Sequence, residues 1–314
     1  MSTYILRRLL SIVFILLAVS IIVFLIVNVM PGDVAHFIAG QFASPDVVEA
    51  IRTRLGLDRP LPLRYWNWAS AFLSGDFGES IVMQRPIGPM VAEAFGRSAL
   101  LAAVSFVFVA GLGILLGVLA ALHHNRAVDH VASMFTYLGI SVPEFFWGIV
   151  LILFFAGYLQ ILPSGGYTPA GQGIGAWLAH LVLPAATLTF TLIAHISRLT
   201  RSSMLEVLAT NYVRNARAKG LPQRTIVMRH ALRNALLPTV TVLAIDIGWL
   251  LGGIVVIESV FAFPGIGRLL LFAIERHDTA LIQACVLVIT ATYCISNLVA
   301  DVVYAYLNPK IRYA

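Results

Sequence analysis

From Leu9 to Met30 the chain runs 22 residues without one charged side chain. A helix built from such a run has no charged face to turn toward water, so it belongs either in the core of a large protein or in a membrane. About twenty apolar residues in a helix do match the hydrocarbon core of a bilayer, roughly 30 Å thick. The pattern recurs, giving six segments at about 9–30, 98–122, 131–161, 178–198, 236–258 and 281–306. Composition agrees: 59% of residues are hydrophobic and 11% charged, against the quarter or so that a soluble surface needs. The expected fold is an all-α membrane protein of six transmembrane helices. The first run is too long for a secretory h-region and no A-x-A site follows it, so it is read as a span. The third contains Pro143; splitting it there leaves a first piece too short to cross, so one kinked helix is expected.

Arg and Lys set the orientation. With the N-terminus inside, 13 of the 21 basic residues fall in the inside segments, among them Arg7, Arg8, Arg126, Arg198, Arg201, Lys310 and Arg312. The positive-inside rule places both termini in the cytoplasm. The densest basic stretch, "NYVRNARAKGLPQRTIVMRHALRNALLP" (Asn211–Pro238), carries six basic residues and no acid. A passive orienting loop, a nucleic-acid patch and a docking surface all explain such charge. Nucleic acid would need aromatic platforms or a groove-reading helix, and Tyr212 stands alone.

The local pattern favours docking. Asn211 can cap a short helix over Tyr212–Lys219, Gly220 can end it in the left-handed conformation, and Pro222 can open a second helix. Val213, Ala216 and Gly220 share one face and Arg214 and Arg217 another. A small-residue face suits a groove on a partner, with arginines pairing at its rim.

Residues 31–96 form a segment outside the membrane. "SPDVVEAIRTRLGL" reads as a helix capped by Ser44, with Val47, Ile51 and Leu55 along one stripe and Gly56 as its stop. Tyr65, Trp66 and Trp68 form an aromatic cluster that fits either an interfacial belt or a small cap. Two GxxxG pairs, Gly113–Gly117 and Gly248–Gly252, offer close helix packing. Cys285 and Cys294, in one helix, are read as small apolar residues. His123, His124 and His130 lack the companions a metal site needs and are read as interfacial polar residues. No internal repeat is visible.

"YVRNARAKG" followed by "RHALRNALLP" resembles the cytoplasmic loop of permease subunits of binding-protein-dependent ABC importers, in the first-permease type of the dipeptide, oligopeptide and nickel group. In the general signature of such permeases, Glu-Ala-Ala is followed by three residues, Gly, nine residues and Ile-x-Leu-Pro. Here Arg214-Asn215-Ala216, Gly220 and His230-Ala231-Leu232-Arg233 stand at those places. The acid, one alanine, the isoleucine and the proline are replaced. The blocks "LGLDRPLPLRYWNW", "GDFGES", "SVPEFFWG", "ILPSGGY", "LPAATLTF", "RLTRSSMLEVL", "GGIVVIESVFAFPGIG" and "NLVADVVYAYLNPKIR" resemble that group in order, over nearly the whole chain.

The resemblance implies a type I ABC importer transmembrane fold in a bacterial inner membrane. It implies an N-terminal helix at 1–30, an outside segment at 31–96, a transmembrane domain at 97–306 with a coupling loop at 199–235, and a cytoplasmic tail at 307–314. The implied partners are a second homologous permease, two nucleotide-binding subunits and a periplasmic or lipid-anchored binding protein. ATP and Mg belong to those partners; this chain binds no cofactor or metal and is no enzyme. Its sequence has no G-x-x-x-x-G-K-[ST] phosphate loop. Tyr212, Val213, Arg214, Ala216, Arg217, Ala218, Lys219 and Gly220 would form the ATPase-coupling helix. The implied cargo is a di- or oligopeptide, with nickel, a metal chelate or glutathione as alternatives. A six-span channel or ion-driven carrier is the reading from another class; it would want a filter or inverted repeats.

Two acids lie inside apolar segments. A carboxylate at a span centre costs about 2.5–3.5 kcal/mol unless it faces water or a partner. Asp246 is therefore expected on the substrate path. Glu144, beside Pro143, is expected either there or in a helix–helix hydrogen bond. Glu258, with Pro264 and Gly265, opens a block at the outer end of the fifth segment and is expected to be structural or part of a gate.

Overall fold

The computed structural model describes residues 2–29, 44–54, 56 and 58–307, which contain no strand. Residues 31–43 of the outside segment, and Lys310 and Arg312 in the tail, lie outside the described residues. The helices are α1 (Ser2–Val29), α2 (Pro45–Arg54), α3 (Leu61–Leu73), α4 (Ile87–Leu122), α5 (Ala127–Ser141), α6 (Glu144–Leu151), α7 (Ile174–Leu208), α8 (Asn211–Ala218), α9 (Leu232–Val260), α10 (Ile266–Glu275) and α11 (Thr279–Leu307). α6 continues as a π-helical stretch, Ile152–Tyr158, and a second π stretch, Ile226–Ala231, leads into α9. Five helical segments are long and apolar enough to cross a membrane.

The sixth is where the structure departs from expectation. The 131–161 segment is not one kinked helix: α5 and α6 meet at 108°. Pro143 lacks an N–H and its ring disfavours helical backbone at the residue before it. Val142 accordingly sits at φ −114°, ψ 132°, so α5 stops and α6 starts afresh at Glu144. Six crossings are reached when this bent pair counts as one. The helices also overrun the apolar segments, α4 beginning at Ile87 rather than near residue 98.

The chain forms two compact units. The first comprises residues 1–96 and 265–292. Here α3 lies along α1. Ser20 Oγ and Tyr65 OH are 2.8 Å apart, Arg64 donates to Asn28 Oδ1 at 2.5 Å, and Phe24 meets Tyr65 edge-on and Trp68 at a tilt. Burial there pulls the Arg64 guanidinium below its ordinary pKa. Tyr65 and Trp68 thus pack on the first span while Trp66 points outward. On α2 the buried residue is Val48, not Val47, which is exposed; Gly56 has φ +65°, the Ile51 side chain and Leu55 lying outside the described set. The core of this unit joins Val23, Ile87 and Met90 to Ile266, Leu281 and Cys285. Asp278, fully buried, accepts from Ser80 Oγ at 2.5 Å and from Leu281 N at 3.3 Å, which caps the start of α11.

The second unit comprises residues 97–264 and 293–314. Its core runs from Leu101 and Val109 through Leu188, Leu192 and Ile196 to Ile254, Ile257, Phe261 and Phe263. Gly113 and Gly117 on α4 meet α7 so closely that a Cβ at Gly117 would sit 2.6 Å from the Ser197 carbonyl oxygen. The second pair does not act as a unit. Gly248 touches Tyr293 and Asn297, but nothing lies within 4 Å of a Cβ at Gly252, so only one of its glycines is at a contact.

Candidate functional site

The basic loop folds as a helix closed by a glycine turn. α8 starts one residue earlier than expected, after Thr210, and Asn211 is its first helical residue rather than its cap. Gly220 has φ +75°, and Gly220 N donates to Arg217 O at 2.9 Å, which ends the helix. Pro222 then precedes the next helical turn. Tyr212 OH donates to His230 O at 3.3 Å and accepts from Asn234 Nδ2 at 2.9 Å, tying α8 to the foot of α9.

The faces of α8 are not arranged as the spacing suggested. Val213 and Ala216 are buried against Ile226, with Val207 and Leu208 beside them. The small-residue face is therefore turned into this chain and is not free to enter a partner's groove. It holds the loop together. Tyr212, Arg214, Arg217, Ala218, Lys219 and Gly220 are exposed, and they make up the surface that another protein can meet.

A second tie was not read from the sequence. Arg201 near the end of α7 grips Asp129 of α5 with both arms of its guanidinium, Nε–Oδ1 at 2.6 Å and Nη2–Oδ2 at 2.8 Å. Asn125 N and His124 Nδ1 complete the shell around Oδ2, at 2.9 and 3.3 Å. Bidentate charge-assisted pairs are the strong, directional ones. Arg201, counted above only toward orientation, thus locks the α4–α5 turn to α7, and His124 joins that pair.

At the far end of α9 the blocks "ILPSGGY" and "ESVFAFPG" meet. Glu258 is fully buried and accepts a hydrogen bond from Ser98 Oγ. Gly166 N donates to Phe261 O at 2.8 Å, and Tyr167 packs edge-on against Phe263. Arg97 lies over the Tyr167 ring and donates to Pro264 O at 3.3 Å. Glu258 and Pro264 therefore belong to a packed knot, and Gly265 opens α10 in ordinary extended backbone, φ −96° and ψ −176°.

Asp246 and Glu144 are placed separately. Asp246, on α9, is 7% exposed, and its Oδ2 has no hydrogen-bond partner among the described residues. The Glu144 carboxylate rests against Gly253, also on α9, where a Cβ would come within 3.0 Å of Oε1. Glu144 Oε2, Trp147 Nε1 and Thr191 Oγ1 are likewise buried without partners. Seven residues along one helix are nearly two full turns, so Asp246 and Gly253 share a face of α9. Buried polar atoms left unpaired are costly, and water or a passing solute can relieve them.

With this geometry in hand, the family follows. The model of the binding-protein-dependent transport system inner membrane component matches residues 113–313, and that of the family's N-terminal part matches residues 1–100. The chain belongs to this family and is a multi-pass membrane permease of an ABC importer. It is 41% identical over 313 residues to a probable peptide ABC transporter permease protein of Sinorhizobium fredii, and 40% identical over 313 residues to the glutathione transport system permease protein GsiC of Escherichia coli (strain K12). Each match covers all of both chains. Among solved structures, a chain of the inward-facing MetNI methionine ABC transporter shares the fold, with a TM-score of 0.54 at 19% identity over 70% of this chain and 96% of that one. Membership of this family sets aside the channel and ion-driven carrier.

Proposed function

We propose that this permease carries short peptides and forms half of their path. What supports the cargo is full-length similarity to two permeases named for a peptide and for glutathione, itself a γ-linked tripeptide. A glutathione-like tripeptide is the second reading. The chain does no covalent chemistry. It binds no cofactor; ATP and Mg are held by two nucleotide-binding subunits, a binding protein delivers the peptide, and a second, homologous permease closes the pathway. The exposed face of α8, with Arg214, Arg217 and Lys219, docks on one nucleotide-binding subunit in the cytoplasm. Closure of the ATPase pair then moves α8. Because Val213, Ala216 and Tyr212 fasten α8 to the segment leading into α9, the push reaches the spans as a rigid-body shift between two states.

Reconstitution tests this reading. Liposomes with the full assembly should take up labelled di- and tripeptides only with ATP inside and binding protein outside. Uptake by this chain alone would return it to the carrier class. Mass spectrometry of the ligand carried by the co-purified binding protein identifies the cargo; a bound nickel chelate would replace the peptide reading.

Orientation has its own test. A cysteine at Ser70 should react with an impermeant thiol reagent added to whole spheroplasts, and one at Gln223 only after permeabilisation. The opposite pattern inverts the topology.

Asp246 is proposed to line the path, where its unpaired oxygen holds the cationic end of a peptide loosely. Asp246→Asn should keep the fold and shift uptake several-fold away from cationic peptides, and Asp246→Leu should do the same more strongly. Equal uptake of all peptides by both variants would take Asp246 off the path.

A further inference from the structure

A polar cleft of about 90 Å³ lies between α4, α5 and α7, lined by Ser133, Tyr137, Ser197, Arg198, Arg201 and Ser202. Its depth follows from helix geometry. From residue 178, where the apolar part of α7 begins, to Arg198 is about 30 Å at 1.5 Å per residue, the thickness of the hydrocarbon core. Ala120, also on the cleft wall, stands two residues before the end of α4. The cleft therefore opens at headgroup depth.

Its charge is not balanced within the protein. Asp129 and Arg201 neutralise one another through their two-armed pair. Arg198 is exposed and makes no ion pair among the described residues. One net positive charge thus stands among serine and tyrosine hydroxyls, which are donors suited to the oxygens of an anion. The space admits a phosphoryl group and is too small for a peptide. Ser133, Tyr137 and Ile140 stand at the i, i+4, i+7 spacing of one face of α5, so the cleft-lining face continues past the cleft as the exposed Tyr137 and Ile140 side chains.

We infer that this cleft binds the phosphoryl group of an anionic phospholipid, whose acyl chain lies along Tyr137 and Ile140 of α5. The cleft supplies the charge and hydroxyls, and contact of the acyl chain with Tyr137 and Ile140 distinguishes a lipid from free phosphate. A bound lipid would bridge α5 and α7 beside the Asp129–Arg201 pair. Basic pockets between spans are a recurrent way to hold such headgroups.

The test is native mass spectrometry of the purified full chain in detergent, titrated with phosphatidylglycerol or phosphatidylcholine of the same acyl chains. Wild type should retain phosphatidylglycerol roughly five-fold better, as one cation near the headgroup provides. Arg198→Gln should abolish that preference and Arg198→Lys should keep most of it, with unchanged thermal unfolding in both. Equal retention of the two lipids by wild type, or an undiminished preference in Arg198→Gln, overturns the proposal. So does full displacement of phosphatidylglycerol by millimolar inorganic phosphate, which would make the ligand a soluble anion. Loss of preference in Arg198→Lys together with a lowered unfolding temperature would also overturn it, marking Arg198 as a packing residue.

Discussion

Gly165→Ala should remove a large share of this protein's stability. A Cβ at Gly165 would lie 2.2 Å from the Phe261 carbonyl oxygen and 2.8 Å from the carbonyl carbon. Both are backbone atoms of a fully buried residue, so no side chain can swing aside to make room. Relief requires the 161–167 loop to lift, which breaks the Gly166 N to Phe261 O bond and pulls Tyr167 off its edge-on contact with Phe263. Overpacking of this kind costs about 1–3 kcal/mol and the lost hydrogen bond about another 1 kcal/mol. Total stabilities are only about 5–15 kcal/mol. Gly171→Ala is the control, since nothing lies within 4 Å of its Cβ and its φ is not positive. The yield of monodisperse protein and the midpoint of thermal unfolding should fall sharply for Gly165→Ala and hold for Gly171→Ala. Matching midpoints would show that the loop is not anchored on Phe261.

The other large effect falls on the basic loop, where burial separates two causes of failure. Ala216→Trp should abolish uptake, by ten-fold or more, because the indole has to displace Ile226 from the inner face of α8. That result alone says nothing about docking. The informative variants lie on the outer face: Ala218→Trp and Arg217→Glu alter residues that touch solvent in this chain. If a nucleotide-binding subunit covers that face, both should lose uptake about ten-fold and fail to retain the ATPase on co-purification, with unchanged unfolding temperatures. Wild-type uptake in both would leave the loop an orienting one. Gly220→Val belongs to the first cause. There is space around it, but φ +75° costs a side chain about 1–2 kcal/mol.

Much of this molecule is legible along the chain, because the physics involved is local. A charge-free run of twenty-odd residues must leave water, whatever its neighbours. Pro143 must interrupt helical backbone, and Gly220 permits a left-handed turn that most residues avoid. The ordered motif blocks carried the family for the same reason, each being a contiguous string. Other features needed the three-dimensional arrangement. Helical spacing puts Val213 and Ala216 on one face of α8, but a face turned into its own chain and a face turned toward a partner want the same small residues. Only the position of Ile226 separates them. The angle between α5 and α6 likewise depends on what α6 packs against, although the break itself was marked by a proline. Gly165 and Phe261, Ser98 and Glu258, and Asp129 and Arg201 are far apart in sequence, and no periodicity connects them. Their pairing is a property of the fold, set by which helix ends the packing of apolar cores brings within hydrogen-bonding distance.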